Sequence, residues 1–381
     1  MNILMLLYIL LSGADIFSFK VFGNTIKVAQ ILAVLLTIVF IFNKKYKIEK
    51  NFLKRYFLLI FIHGIALFYS YSLKKSIEYF LYIIFNLFFC INLIYSWCLL
   101  NKNKKLIQIY MWSFRIVGIL EVVQFILGSC NIYFFQYQTY MKIFRPAVWF
   151  YEPSYLATFF SLYYMSTLIF YIKKIKSYRK DLILSIIFIS ITTSSTGYIT
   201  LVVGIILLIV LYRMEAIKKI LIISIGIVFS MIILLLTNKD IILMFIGRLF
   251  RSGIANSSGE RMKVNLETLK VIKNNFLFGI GSNSFKEYTS LFPMNVTLEI
   301  LATLGVIGML CFCITYLYLQ KKYFKNKNDI YVQILFFSFV LFIIVLQANQ
   351  NYMRLYMWNH IALYLGVIKN KEVLDNEKIN N

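Results

Sequence analysis

The chain has 381 residues, 60% of them hydrophobic, a mean hydropathy of +0.76 and a formal net charge of +24. That apolar fraction excludes an ordinary soluble domain, in which roughly 45–50% is usual. On a soluble protein such a basic excess would point to nucleic acid; here Lys and Arg sit in short loops between apolar runs of bilayer-spanning length, so the charge is topological and no nucleic-acid partner is expected.

In chain order the apolar runs predict an all-α polytopic membrane protein, a single domain over 1–381 with about 12 membrane helices: 3–19, 26–42, 54–72, 77–99, 106–127, 154–172, 181–193, 197–212, 218–237, 295–319, 330–348 and 352–368. The N-terminus has no basic leader segment and runs directly into Ile3–Leu11, which reads as a retained first span. Alternate loops (43–55, 101–105, 173–180, 213–219, 320–329 and the tail after Ile368) carry most of the Lys and Arg. Basic loops stay cytoplasmic, so both termini are expected inside and the loops 128–153 and 238–294 outside. The five cysteines show no metal-ligand spacing, and Cys130 stands alone in an outer loop, so neither a metal site nor an intrachain disulfide framework is expected.

Leu182–Tyr212 permits two readings. A single long helix would put two basic loops on opposite faces. Two short helices joined by Thr192-Thr193-Ser194-Ser195-Thr196-Gly197 keep both inside, but leave a polar turn at membrane depth, tolerated only where protein buries it or it lines a wet cavity. A weak kink with a shifted boundary is the bland alternative. In the large outer loop between spans nine and ten, Ser257 and Glu260 have capping-box spacing. Met262, Leu266, Leu269 and Ile272 then make one apolar stripe, predicting an amphipathic helix with Gly279 and Gly281 as stop and turn residues.

Arginine is distributed unevenly. The inside loops use Lys, with only Arg55, Arg179 and Arg213; the outside segments hold Arg145, Arg248, Arg251, Arg261 and Arg354. Bidentate binding of phosphate oxygens is a task that a guanidinium performs and an ammonium does not. A helix starting at Ser257 puts Arg261 in its first turn, beside free N–H groups that favour an anion; the alternative is an ordinary surface Arg. In Arg145-Pro146-Ala147-Val148-Trp149-Phe150-Tyr151-Glu152-Pro153-Ser154, Glu152 reads either as a general base with Tyr151 and Trp149 stacking on sugar faces, or as part of an interfacial loop with an aromatic belt. Within the spans, Arg115 and Glu121 are six residues apart and are expected to pair with other helices, whereas Glu78 has Lys74 four residues before it. Glu299 lies one turn inside span ten, at its outer end. His63 and His360 read as hydrogen-bonded core residues. No nucleophile–His pair, phosphate loop, zinc spacing or Asp-x-Asp motif is present.

Taken together these segments resemble the O-antigen polymerase and ligase superfamily, the Wzy-type polymerases especially. The likeness lies in Arg145 with Phe150-Tyr151-Glu152-Pro153-Ser154, in the Thr193–Gly197 turn, and in Arg261 leading to Phe278-Gly279-Ile280-Gly281. It continues through Asn295 with Leu298-Glu299-Ile300-Leu301 to Leu304-Gly305-Val306-Ile307-Gly308, and covers roughly 145–310. Two positions depart from the pattern: Met294 stands where ligases carry His, and Ser194-Ser195 where many members carry Ser-Arg. The resemblance implies a membrane glycosyltransferase in the bacterial cytoplasmic membrane that needs neither metal nor cofactor. Its substrates would be undecaprenyl-pyrophosphate-linked glycans, with a chain-length regulator and a flippase as partners. Arg145, Glu152 and Arg261 would be catalytic; Tyr151, Trp149, Arg248, Arg251, Asn295, Glu299 and Arg354 would bind substrate. The expected product is O-antigen or capsular polysaccharide. An O-antigen ligase is the alternative within the superfamily, and a lipid-linked oligosaccharide flippase the alternative outside it.

Overall fold

The computed structural model describes residues 1–21, 24–140, 143–212, 254–349 and 352–380. Most of them are helical. The helices are α1 (Asn2–Leu11), α2 (Val28–Phe42), α3 (Lys50–Ala66), α4 (Leu73–Phe85), α5 (Asn92–Leu99) and α6 (Asn103–Ser129). They continue with α7 (Pro153–Ile172), α8 (Arg179–Ile191), α9 (Ser195–Tyr212), α10 (Ile254–Asn274), the short α11 (Phe285–Thr289), α12 (Val296–Asn326), α13 (Ile330–Val345) and α14 (Leu355–Asn380). By length and apolarity 6 of these stretches can each cross a bilayer: Leu73–Leu99, Asn103–Ser129, Pro153–Ile172, Ser195–Tyr212, Val296–Asn326 and Ile330–Ala348. The chain is an integral membrane protein. The expected span at 218–237 lies outside the described residues.

Two β-hairpins accompany the helices, and the first corrects the expected first span. The first run, expected as one helix over 3–19, ends at Leu11, and the chain turns through Ser12–Phe17 into a hairpin of β1 (Ser18–Val21) and β2 (Asn24–Lys27), with Phe19 opposite Ile26. The segment after α6 forms a second hairpin, β3 (Gln136–Tyr140) and β4 (Ile143–Val148), with Arg145 opposite Gln138. Both hairpins are rich in aromatic and β-branched residues, which suit a pleated, half-buried surface. The side chain of Gln124 in α6 fixes the second one, donating to the carbonyls of Phe134 and Gln136 and accepting from the Val148 N–H at 2.8 Å. Both hairpins lie at one end of the helices, the hairpin end. The Lys-rich connections lie at the other.

Helix α7 is the centre. Pro153 occupies its first turn, where a missing N–H costs nothing. It is buried along nearly its whole length and round all its faces, which is what a helix without a polar face requires. It packs on α8, α9 and α13. Helices α8 and α9 are separate, joined by the tight turn Thr192–Ser194 with Thr193 at φ 46, in keeping with the two-helix reading. Thr192, Thr193, Ser194 and Thr196 are all buried, so protein covers the polar turn.

Arg115 finds its expected partner on another helix; Glu121 does not, both of its buried carboxylate oxygens having no hydrogen-bond partner among the described residues. Arg115 of α6 makes a bidentate pair with Asp181 of α8 at 2.7 and 2.8 Å, and the Tyr163 hydroxyl donates to the same carboxylate. His63 bonds the Ser282 hydroxyl at 2.7 Å, and His360 bonds the Tyr110 hydroxyl and the Leu335 carbonyl. Glu78 pairs with Lys75 at 3.1 Å instead of the expected Lys74, one helical turn being equally well closed by three residues as by four.

Helix α12 is interrupted at Gly305, whose φ of 65° and ψ of −170° lie in a region open essentially to glycine alone. The segment after α10 fills the break. Ile280 and Gly281 donate their N–H groups to the Ala302 and Thr303 carbonyls at 3.0 and 2.9 Å, and the Val306 N–H donates to Phe276 at 2.9 Å. A Cβ on Gly305 would lie 2.1 Å from the Leu277 carbonyl oxygen. One on Gly279 (φ +69) would lie 2.4 Å from the Thr303 carbonyl carbon. The two glycine motifs singled out in the sequence are thus the two sides of one backbone contact, which satisfies the hydrogen-bonding groups that the broken helix releases.

Candidate functional site

Arg261, Asn295, Arg354 and, through Ser154, Glu152 meet at the connection between α13 and α14, of which residues 346–349 and 352–354 are described. Arg261 of α10 donates from Nη1 to the Ala348 carbonyl at 3.1 Å. Asn295 caps α12, accepting from the Leu298 N–H at 3.0 Å, and donates to the Gln347 carbonyl at 3.0 Å. Thr297 donates to the Gln347 side chain at 2.7 Å. Next along, the Asn349 amide donates to the Ser154 carbonyl and to the Thr158 hydroxyl at the start of α7. Ser154 in turn donates its hydroxyl to Glu152 at 3.0 Å. One connection therefore links Arg261, Asn295 and Glu152 by hydrogen bonds through three different parts of the chain.

Arg354 closes the same connection. Its Nη1 donates to both oxygens of Asp15, at 2.9 and 2.8 Å, and its guanidinium lies 3.8 Å from the centre of the Tyr155 ring. Lys27 reaches Asp15 at 2.6 Å, and the Tyr151 N–H donates to it at 3.1 Å. Burial alone would raise the Asp15 carboxyl. Arg354, Lys27 and these hydrogen bonds outweigh it and hold the group at about 2, so it is ionised at any physiological pH. The same burial draws the Lys27 ammonium down, opposed by Asp15. Two cations around one carboxylate leave a local positive excess, and the Nε of Arg354 is buried with no hydrogen-bond partner among the described residues.

The remaining selected residues fall as follows. Tyr151 is exposed and open to a ligand. Trp149 is buried, with its ring between Phe17 and Phe135 at about 6.1 Å from each, so it is a packing residue for the hairpins and not an open stacking platform. Arg145 is half-buried on β4, three residues before Val148, roughly 10 Å of strand. Arg261 is not in a first helical turn: α10 begins at Ile254, so Ser257 is an interior residue and Arg261 lies in the third turn. The expected anion site at a helix N-terminus is thereby withdrawn for Arg261; its side chain reaches a carbonyl of the connection instead. Arg248 and Arg251 lie outside the described residues. Glu299, in the first turn of α12, is buried and lines a polar cavity of about 300 Å³ with Lys75, Tyr79, Asn283, Lys286 and Thr303. Sequence reasoning missed Asp15, Gln347 and Asn349. Asp15 alone carried a signal, as an isolated carboxylate in an apolar run.

Residues 182–313 match the family model described as O-antigen ligase (Wzy_C). The matched stretch is similar to that family, in keeping with the resemblance to the O-antigen polymerase and ligase superfamily. It takes in the Thr192–Ser194 turn, Arg261, the two sides of the Gly305 break, Asn295 and Glu299. It ends before the 346–354 connection and starts after Arg145 and Glu152, so the superfamily segment supplies one part of the hydrogen-bonded hub and flanking segments supply the others. No curated protein matches the chain. The superfamily match fits the polymerase and ligase class of membrane glycosyltransferase-like enzymes, whose substrates are lipid-linked glycans.

Proposed function

We propose that this protein is a repeat-unit polymerase acting on the extracytoplasmic side of the bacterial cytoplasmic membrane, where it joins undecaprenyl-pyrophosphate-linked oligosaccharides into O-antigen or capsular polysaccharide. The observation that carries the reading is the hub at residues 346–354, which ties Arg261 and Arg354 to the segment bearing Glu152 at one end of the helices. In the reaction the acceptor hydroxyl oxygen attacks the anomeric carbon of the donor glycan. The bond from that carbon to the pyrophosphate oxygen breaks, and its electron pair leaves with the lipid pyrophosphate. Arg145, Arg261 and Arg354 stabilise the negative charge that develops on the departing oxygen, and such electrostatic stabilisation is usually the main source of rate enhancement; Arg248 and Arg251 are further candidates for the same role. Glu152 takes the hydroxyl proton, and Tyr151 offers its face to a sugar. Asn295 and Glu299 hold the adjoining wall. Lipid anchoring keeps both reactants in one plane and supplies proximity. Neither metal nor cofactor enters this scheme; a chain-length regulator and a flippase are the partners it calls for.

The second reading, an O-antigen ligase, is favoured by the description of the matched family. Met294 disfavours it, standing where the ligases carry the His expected to serve as their base. A deletion strain examined on a polysaccharide gel separates the readings. A single repeat capped on core is the expected result. Loss of surface glycan with accumulating lipid-linked polymer would make the protein a ligase. Single lipid-linked repeats retained inside would make it a flippase.

A further inference from the structure

Helix α4 divides two cavities of opposite character. On one side, between α4 and α2, runs a groove of about 780 Å³, within the usual size range for ligand pockets. Its walls are apolar: Ile31 and Leu35 of α2 face Ile77 and Leu81 of α4, all substantially exposed. On the other side lies the polar cavity with Glu299, to which α4 contributes Lys75 and Tyr79. The spacing makes this division. Positions 73, 77, 81 and 85 form one stripe of α4, and positions 75 and 79 form another.

The groove has a polar mouth. A π-helical turn, Asn86–Ile91, follows α4, and α2 packs on that turn and on α5 beyond Phe85. At the mouth, the Tyr82 hydroxyl donates to the Thr25 carbonyl at 3.2 Å. Lys74 stands there with no ion pair among the described residues, beside Glu78, which is paired with Lys75. The N-terminal end of α4 is fixed: the Ser76 hydroxyl donates to the Ser282 carbonyl at 2.8 Å, and Ser70 bonds both Ser76 and Ser284. Behind Tyr79 the polar cavity adjoins the site already described: the Tyr79 ring meets the ring of Tyr352, in the connection before α14, edge to face at 6.0 Å.

We infer that the α2–α4 groove holds the isoprenoid chain of the lipid-linked acceptor, with its phosphate over Lys74 at the mouth. The inference rests on the reading of the chain as a polymerase of lipid-linked glycans. A polymerase needs places for two lipid-linked substrates. The arginines around 346–354 address the donor, and this groove provides a second, separate berth of the right chemistry: apolar along its length, with Lys74 at its mouth.

The test is photolabelling of the full-length protein in nanodiscs with a polyprenyl phosphate that carries a diazirine near its phosphate end, followed by peptide mapping. Label is expected on α2 and α4, displaced by unlabelled polyprenyl phosphate and not by phosphatidylglycerol. Ile77→Trp and Leu81→Trp, at exposed positions where the larger ring fits without repacking, should lower labelling about tenfold, the equivalent of roughly two methylene groups kept from the groove. Their unfolding temperatures should stay unchanged. Lys74→Glu should abolish the preference for polyprenyl phosphate over the uncharged polyprenol. Label mapping elsewhere, or equal displacement by phosphatidylglycerol, would overturn the inference and leave an ordinary bilayer-lipid groove. Labelled α2 and α4 in a protein that makes no polymer would keep the groove and remove the polymerase reading. Polymer made by a protein labelled elsewhere would do the reverse.

Discussion

Asp15→Asn tests directly what holds the hairpin end together. The carboxylate receives Lys27, both bonds from Arg354 Nη1 and the Tyr151 N–H, and its side chain is only 12% exposed. Its carboxyl is held at about 2 against an ordinary 3.8. At about 1.4 kcal/mol per unit this is worth about 2 kcal/mol of folding free energy. The group is depressed on folding, so the contribution is present above pH 4 and is lost as pH falls through 2. Asn keeps the shape and one acceptor oxygen but removes the charge, leaving Arg354 and Lys27 buried beside each other. Removal of one partner from a buried pair typically costs about 3–5 kcal/mol. The expected loss is therefore about 2–5 kcal/mol, read as a fall in unfolding temperature of the detergent-solubilised protein of about 1 °C per kcal/mol.

A double-mutant cycle sharpens the measurement. Arg354→Met in the Asp15→Asn background removes one of the orphaned cations and should recover part of the lost stability, giving a coupling of more than about 1 kcal/mol between the two positions. An unchanged unfolding temperature in Asp15→Asn, or additive effects in the double variant, would show that the ion pair does not pin the hairpins to α14. In the wild type, unfolding temperature should be flat between pH 5 and 8 with respect to this group; a decline within that interval would assign the titration elsewhere.

Other consequences follow from the same contacts. Gly305→Ala should destabilise by at least about 1–3 kcal/mol from backbone conformation alone, before the clash with Leu277 is counted, and thermal unfolding would measure it. Arg261→Ala is expected to lower transfer by about two to three orders of magnitude, as for loss of one stabilising donor, and to erase long polysaccharide from gels. Arg261→Lys should also be impaired, because a point charge does not reproduce the fork; normal chain length in either would remove Arg261 from the site. Glu152→Gln should reduce turnover about a hundredfold or more while the protein accumulates normally in membranes, and unaltered turnover would exclude Glu152 as the base.

The helices are legible in the sequence because their signal is local. Apolar runs fix where α2, α4–α5, α6, α7, α12 and α13 lie, and the polar Thr192–Ser194 turn fixes the break between α8 and α9. Misreadings arise where distant partners decide. Ser257 and Glu260 have the spacing of a helix start, yet α10 begins at Ile254. The run from Ile3 is apolar enough to continue to residue 19, yet the helix ends at Leu11, and Asp15 beyond it joins Arg354, 339 residues away. Trp149 reads as an interfacial aromatic because nothing in its neighbourhood announces Phe17. Side-chain exposure and ion pairing between separated segments are properties of the packed molecule, and composition constrains them weakly.

The distribution of the hub along the chain bears on how the site works. Residues 182–313 carry the superfamily match and contribute Arg261, Asn295 and Glu299, but the 346–354 connection joins them to Glu152, Tyr151 and Asp15. Arg261 and Asn295 hold backbone carbonyls of that connection, whereas Arg354 within it is held by a carboxylate from the N-terminal loop. A shift of the connection would therefore move all three groups together. A ligand anion competing with Asp15 for Arg354 would loosen the connection from the hairpins while leaving its bonds to α10 and α12. Asn349 holds the Ser154 carbonyl, and the Ser154 hydroxyl donates to Glu152, so the connection is hydrogen-bonded to the segment that bears this carboxylate.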